Sequence, residues 1–310
     1  MMLTPIERVD SISVEEFERH FAAAGRPVVM CQSRNGNSSI PCWTMNGLIR
    51  EFGHISVPVR PTDDEFLAFF SSQPEAATQP RVMELRAYVD IIEEAAATGT
   101  RPPYAGNIRI APDLAAAQGF ERLLSGCSFP SWQPSASASE YRLWMGAARQ
   151  RSTIHNDPHH NFNAQLIGHK RFILFAPNQH GFLYPTYFHR GMWASPIDPL
   201  APDMQKYPKF AEAQGFDCTL SEGELIYVPR FWWHYVEAMT ISVNINRWVI
   251  KRDKYDDWWH QQQVARPFVS YQALLQHERS RFAVLPLALQ ESWRTEFQAL
   301  EADFLRMMRD

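Results

Sequence analysis

The sequence predicts a mainly β protein with flanking helices, its centre a sandwich or barrel of the jelly-roll kind. Three observations predict it. Between Tyr141 and Ile250 six short runs of strand formers follow one another, divided by turns and loops. The first third mixes helical and strand-like stretches, and past Asp253 apolar residues recur at helical spacing. At 310 residues, 45% hydrophobic and 13% aromatic, the chain can fill a sizeable core.

Taken in order, Ser13-Val-Glu-Glu-Phe-Glu18 reads as a helix start, with Ser13 as cap and acidic residues in the first turn. Arg26-Pro-Val-Val-Met30 and Ile55 to Arg60 read as short strands. Arg86 to Ala97 reads as a helix, its apolar face marked by Leu85, Tyr88, Ile91 and Ile92. The stretch Ser128 to Ser137, rich in proline and serine, is a loop that closes this flank. The expected strands beyond it are Tyr141–Gly146, Thr153–Asp157, Asn163–Leu166, Arg171–Phe175, Glu224–Val228 and Ile241–Ile250, with a hairpin turn at Gly168-His169. Pro196, Pro199, Pro202 and Pro208 make the interval from Tyr187 to Pro208 a long irregular excursion. Leu289, Trp293, Phe297, Leu300 and Phe304 then form one apolar stripe on a helix. The division expected is an α/β flank over residues 1–127 packing on a core over 128–252, then a helical segment over 253–310. The stripe predicts a homodimer through the C-terminal helices.

A net charge of −4 gives no general attraction to nucleic acid or to an anionic membrane, so neither is an expected partner. Cys31, Cys42, Cys127 and Cys218 lack paired spacing and read as reduced thiols. The opening MMLTPIERVD carries charge where a signal peptide needs an apolar stretch, and no apolar run approaches the ~20 residues of a membrane span. A cytoplasmic location is the expectation.

The chemistry concentrates at His155, Asp157 and His234. Side chains alternate along a strand, so His155 and Asp157 project to one face with Asn156 opposite. A distant strand can bring His234, at the end of Pro229-Arg-Phe-Trp-Trp-His234, to the same place, with Trp232 and Trp233 as a bulky, partly dry wall. Two histidines and a carboxylate are the facial set that holds Fe(II) and leaves coordination positions for a chelating cosubstrate and O2. An incidental pair is the competing account, since His-x-Asp arises by chance and the chain has 11 histidines. His155 and His159 would suit zinc on a helix, but Pro158 disfavours helix at the residue before it. A zinc hydrolase would also want a general base beside the ligands, and the motif offers none.

The run from Ser152 to Pro177, then Leu183-Tyr-Pro, Ser195-Pro-Ile-Asp198, Tyr207-Pro-Lys-Phe210, Gly223 to Pro229 and Trp232-Trp-His234, resembles the JmjC-type cupin family of Fe(II)/2-oxoglutarate oxygenases. It looks most like the family's asparaginyl hydroxylases and bacterial cupin-like members. The resemblance is close from Tyr141 to Trp248 and looser before it. It implies a double-stranded β-helix with iron on His155, Asp157 and His234. It implies that Lys170 pairs with the distal carboxylate of 2-oxoglutarate, with Ser152 (or its neighbour Thr153) as a hydroxyl donor and Asn161 and Asn244 lining the cosubstrate pocket. Asn244 shares a strand face with Ser242 and Asn246, a polar row in an otherwise apolar strand. The implied reaction is hydroxylation of an unactivated C–H in an amino-acid side chain of a peptide or protein. The alternatives are hydroxylation of an amino-acid-like metabolite, and a cupin that binds metal as a sensor without turnover. Asn163, Pro158-His159-His160 and Ser221-Glu-Gly-Glu224 depart from the asparaginyl hydroxylase pattern, the first two beside the site.

Overall fold

The computed structural model describes residues 1–10, 12–31, 43–61, 80–100, 102–110, 123–124, 127, 129–134, 137–157, 159–185, 187–189 and 192–251. The C-terminal stripe on which dimerisation rests lies outside them, as does Cys42.

The chain starts with strands β1 (Met2–Pro5) and β2 (Arg8–Val9), then a short helix α1 (Val14–Phe17) that runs into a π turn over Glu18–Ala22. Ser13 caps α1 as the sequence predicts: its side chain accepts from the Glu16 amide while the Glu16 carboxylate accepts from the Ser13 amide. Strand β3 (Val28–Cys31), helix α2 (Met45–Phe52), the antiparallel pair β4 (Ser56–Val59) and β5 (Arg81–Glu84), helix α3 (Leu85–Thr98) and β6 (Ala105–Ile110) follow. Helix α3 buries Leu85, Tyr88, Val89, Ile92 and Ala95 at helical spacing and ends at Gly99 in the left-handed region, φ 71°. The remainder is β7 (Ser137–Gly146), β8 (Arg151–Asn156), β9 (His160–Ile167), β10 (Lys170–Phe175), β11 (Tyr187–His189), β12 (Met192–Ala194), β13 (Gln214–Leu220), β14 (Glu224–Val228), β15 (Trp233–Ala238) and β16 (Ser242–Lys251).

From β7 to β10, and again from β13 to β16, successive strands pass between two seven-stranded sheets. One runs β1-β13-β10-β15-β8-β12-β11, the other β2-β3-β14-β9-β16-β7-β6. That alternation is the double-stranded β-helix, a jelly roll. Strands of the N-terminal flank extend it: β1 pairs with β13, β3 with β14 and β6 with β7. The excursion from Tyr187 contributes the β11–β12 pair, which joins the first sheet at β8.

Two differences from the sequence reading have plain causes. Gly168-His169 is a turn, yet β9 and β10 belong to different sheets, so it folds a corner and closes no hairpin. Gly168 has φ +72°, and a Cβ there would lie 2.0 Å from the Ile241 carbonyl oxygen, so glycine is required. Strands β13 and β15 were missed because Asp217, Cys218 and Glu237 break their strand-former pattern, and the aromatic run before His234 reads as a motif.

The main hydrophobic core lies outside the barrel. Phe162, Ala164, Leu166, Leu225, Tyr227, Val243, Ile245 and Val249, on the outer face of the second sheet, pack on Phe17, Phe21, Tyr88 and Ile92 from the helices. A smaller apolar cluster, with Phe172, Leu174, Leu220, Ile226 and Val228, fills one end of the interior.

Candidate metal centre and cosubstrate pocket

His155 lies on β8, His234 on β15 and Asp157 just past the end of β8. Register pairs His155 directly with His234, so both rings leave the same face of the first sheet, their centroids 4.1 Å apart. One ligand atom from each of the three residues falls within 4.8 Å of the others, and all three residues are buried. Asp157 Oδ2 is 3.6 Å from His234 Nε2.

The backbone sets the tautomers. His155 Nδ1 sits 2.7 Å from the Thr153 carbonyl and His234 Nδ1 3.0 Å from the Trp232 carbonyl, each two residues upstream. A carbonyl only accepts, so each Nδ1 carries the proton and Nε2 is the metal-facing atom. Burial pulls both imidazoles down to about 4, and for His234 the neighbouring His155 acts in the same direction. Both rings are therefore neutral at pH 7, the form that ligates. The 3.6 Å approach of Asp157 is then no ion pair but two donors converging on one point. Two neutral imidazoles and a carboxylate in a buried interior fit a divalent transition metal.

A strained turn holds the carboxylate in place. Phe231 adopts φ +64°, a region costly for an aromatic residue, and its amide donates to the Asp157 carbonyl at 2.7 Å. This ties the crossing from β14 to β15 to the end of β8. On the opposite face, Asn156 Oδ1 accepts from the Trp193 amide at 2.9 Å, and the Ser195 amide donates to the Ile154 carbonyl at 2.8 Å, docking the excursion. Arg151 and Asp198 close that contact at 2.6 Å. Trp233 also faces outward: it pairs with Phe175 and packs 5.6 Å from the His180 ring. The dry wall expected of it lies behind the site, because neighbours along a strand point to opposite faces.

Lys170, on β10, shares the inward face of the first sheet. It lies four residues from Leu174, which pairs with His234. Its side chain is 4% exposed, and Nζ donates to Asn244 Oδ1 on the opposite sheet. Burial lowers this ammonium to about 7. A buried cation whose one partner among the described residues is an amide has a strong electrostatic demand for an anion.

Ser152 reaches that face through a β-bulge. Simple alternation aligns Thr153 with His155. The register pairs His155 with His234 but Ser152 with Val236, so the extra residue turns Ser152 inward beside Val236, in the cross-strand row that continues to Phe172. The inner face of the second sheet is a carpet of amides: Asn161, Asn163 and Gln165 on β9 opposite Trp248, Asn246 and Asn244 on β16. All five amides are buried, and Asn161 Oδ1, Asn163 Oδ1 and Gln165 Oε1 have no hydrogen-bond partner among the described residues. Sequence reasoning found Asn161 and Asn244 and missed Gln165. The missed signal was the period-two polarity of Asn161-x-Asn163-x-Gln165.

Residues 14–254 match the family model described as cupin-like domain. The chain belongs to that family. It is 26% identical over 257 residues to "Lysine-specific demethylase 8" of Xenopus tropicalis, covering 79% of this chain and 53% of that one. It is 25% identical over 246 residues to "Jumonji C domain-containing protein 5" of Drosophila melanogaster, covering 78% of this chain and 59% of the relative. A 120-residue stretch is 38% identical to human "HSPB1-associated protein 1", covering 37% of this chain and 25% of that one. The chain thus spans a quarter to about three-fifths of these relatives' lengths. Among the described residues no helix is long and apolar enough to cross a membrane.

Proposed function

We propose that this cupin-like protein is an Fe(II)- and 2-oxoglutarate-dependent oxygenase that hydroxylates an amino-acid side chain of a peptide or protein. The observation that carries the reading is the buried Lys170 on the sheet face that bears His155, Asp157 and His234. A protein that only stores or senses metal has no use for a second, cationic anchor inside the barrel.

His155, Asp157 and His234 would hold the iron through two Nε2 atoms and a carboxylate oxygen. Iron with 2-oxoglutarate and O2 supplies the oxidising power: the 2-oxo acid loses CO2 and becomes succinate, taking one oxygen atom, and the other enters a substrate C–H as hydroxyl. Lys170 binds the distal carboxylate as a point charge, and Ser152 adds a hydroxyl donor to it. Asn161 and Asn244 border the same ligand with carboxamides. Phe172, Leu174 and Val228 keep that end of the interior dry, which strengthens the ammonium–carboxylate pair.

A second reading, N-demethylation, draws on the relative named as a lysine-specific demethylase. It is the same oxygen insertion on a carbon bound to nitrogen, where the hydroxylated carbon then leaves as an aldehyde and frees the amine. The experiment is iron-dependent succinate release from 2-oxoglutarate, followed by mass spectrometry of a broad library of plain and methylated peptides and of amino-acid-like metabolites. A gain of one oxygen supports hydroxylation, and loss of a methylene supports demethylation. Succinate release with zinc but not iron, or none with iron, removes the reading. The cytoplasmic location and the homodimer are parts of the same proposal; a monomeric mass by light scattering removes the latter.

A further inference from the structure

The Lys170 ammonium spans the interior to Asn244 Oδ1, and which end of that carboxamide it meets is decisive. The oxygen accepts from the ammonium, whereas the NH2 would repel it. Four side chains share the inward face around Asn244. Ser242 and Asn246 lie two residues away along β16, Gln165 is its partner on β9 and Trp144 its partner on β7. Only Asn246 engages it: Asn244 Nδ2 donates to Asn246 Oδ1 at 2.8 Å. Gln165 uses its Nε2 on the Ile167 carbonyl at 2.7 Å. Gln165 Oε1, Trp144 Nε1 and Ser242 Oγ meet no partner among the described residues.

We propose that Asn246 is a positioning residue for the cosubstrate: by accepting from Asn244 Nδ2 it locks Asn244 Oδ1 toward Lys170 and so aims the ammonium at the distal carboxylate of a 2-oxo dicarboxylic acid. The inference rests on the oxygenase reading above. Asn244 is 1% exposed and Asn246 5%, so no bulk water replaces the acceptor when it is removed. Without it, Asn244 Nδ2 loses the one acceptor it has among the described residues, and the amide is free to rotate its NH2 against the lysine. The loss falls on ligands that carry a second carboxylate. A 2-oxo monocarboxylic acid meets the metal with the same 2-oxo acid head and never reaches Lys170.

That difference supplies the test. Protein loaded with Mn(II) in place of iron is titrated calorimetrically with 2-oxoglutarate and, separately, with 2-oxobutyrate. Asn246→Leu is expected to weaken 2-oxoglutarate about tenfold, the scale of one net hydrogen bond, with 2-oxobutyrate within about twofold of the unaltered protein. Asn246→Ser keeps a hydroxyl acceptor on a shorter stem and should recover part of the loss; it carries the comparison alone should the leucine variant fail to fold. Equal affinity for 2-oxoglutarate in the unaltered protein and these variants overturns the proposal, as does a parallel loss for both acids, which marks a merely structural residue. Failure of the unaltered, Mn(II)-loaded protein to bind 2-oxoglutarate overturns the oxygenase reading itself.

Discussion

Strands β9 and β16 each present two chemistries, one per face. Outward, Phe162, Ala164, Leu166, Val243, Ile245 and Val249 join the helices in the main core. Inward, Asn161, Asn163, Gln165, Asn244 and Asn246 line the barrel, several with hydrogen-bonding capacity unmet among the described residues. The outer face holds the fold. The inner face costs stability, since buried polar atoms without partners are penalised, and such a cost persists where a ligand meets it. Mutations on the two faces should therefore separate stability from binding.

The largest effect belongs to the inner face. Asp157→Ala or His234→Ala should abolish iron-dependent succinate release, a loss of about a hundredfold or more, because a facial triad lacking one ligand holds its metal poorly. Thermal melting of the metal-free protein should move little, or rise, as the buried carboxylate or imidazole disappears. Unchanged 2-oxoglutarate turnover in either variant would end the comparison, since the inner face would then carry no chemistry.

Lys170→Met should raise the KM for 2-oxoglutarate about a hundredfold, the scale of truncating one partner of a desolvated ion pair. The same change should leave the cosubstrate-free protein as stable or more so. It also removes a pH dependence. Burial puts the folded-state pKa of Lys170 near 7, below its ordinary 10.5, so between those values the unfolded chain binds the extra proton. The destabilising effect is complete below about pH 7 and is relieved as pH rises towards 10.5, so the metal-free protein should gain stability across that window. The methionine variant should lack this rise, measured as denaturant midpoints at pH 7 and pH 9.

On the outer face, Phe162→Ala should cost about 3–5 kcal/mol, because it empties a site between Phe17, Trp132 and Tyr227. The part that remains folded should keep its KM for 2-oxoglutarate. A raised KM at constant kcat would couple the two faces and sharpen the comparison into one of degree.

Much of this was legible in the sequence, for a physical reason. His155 and Asp157 sit two apart on one short stretch, and local spacing is what a sequence displays. The outer apolar residues and the face of α3 follow the periods of their elements. What stayed hidden depends on pairing between distant strands. Nothing local says that Gly168-His169 joins two sheets, or that Gln165 lies beside Asn244. Those facts live in the register, and register is set by partners far along the chain.

The smallest predicted effect tests register directly. By alternation alone, Thr153 shares a face with His155 and should be the hydroxyl that meets the cosubstrate. The bulge between the His234 and Val236 pairings reverses this and sets Ser152 across from Val236, in the row that includes Phe172 and one step from the row of Lys170. A single neutral hydroxyl contributes about 1 kcal/mol to binding an ion already held by an ammonium. Ser152→Ala should accordingly raise the KM for 2-oxoglutarate about fivefold with kcat little changed. Thr153→Ser, which keeps the hydroxyl and removes only a methyl, should leave KM as it was. Thr153→Ala serves as the discriminating variant: its carbonyl still holds His155 Nδ1, so the metal site survives and only the side chain is tested. If Thr153→Ala raises KM and Ser152→Ala does not, the bulge is misplaced by one residue, and the inner face around the cosubstrate must be redrawn.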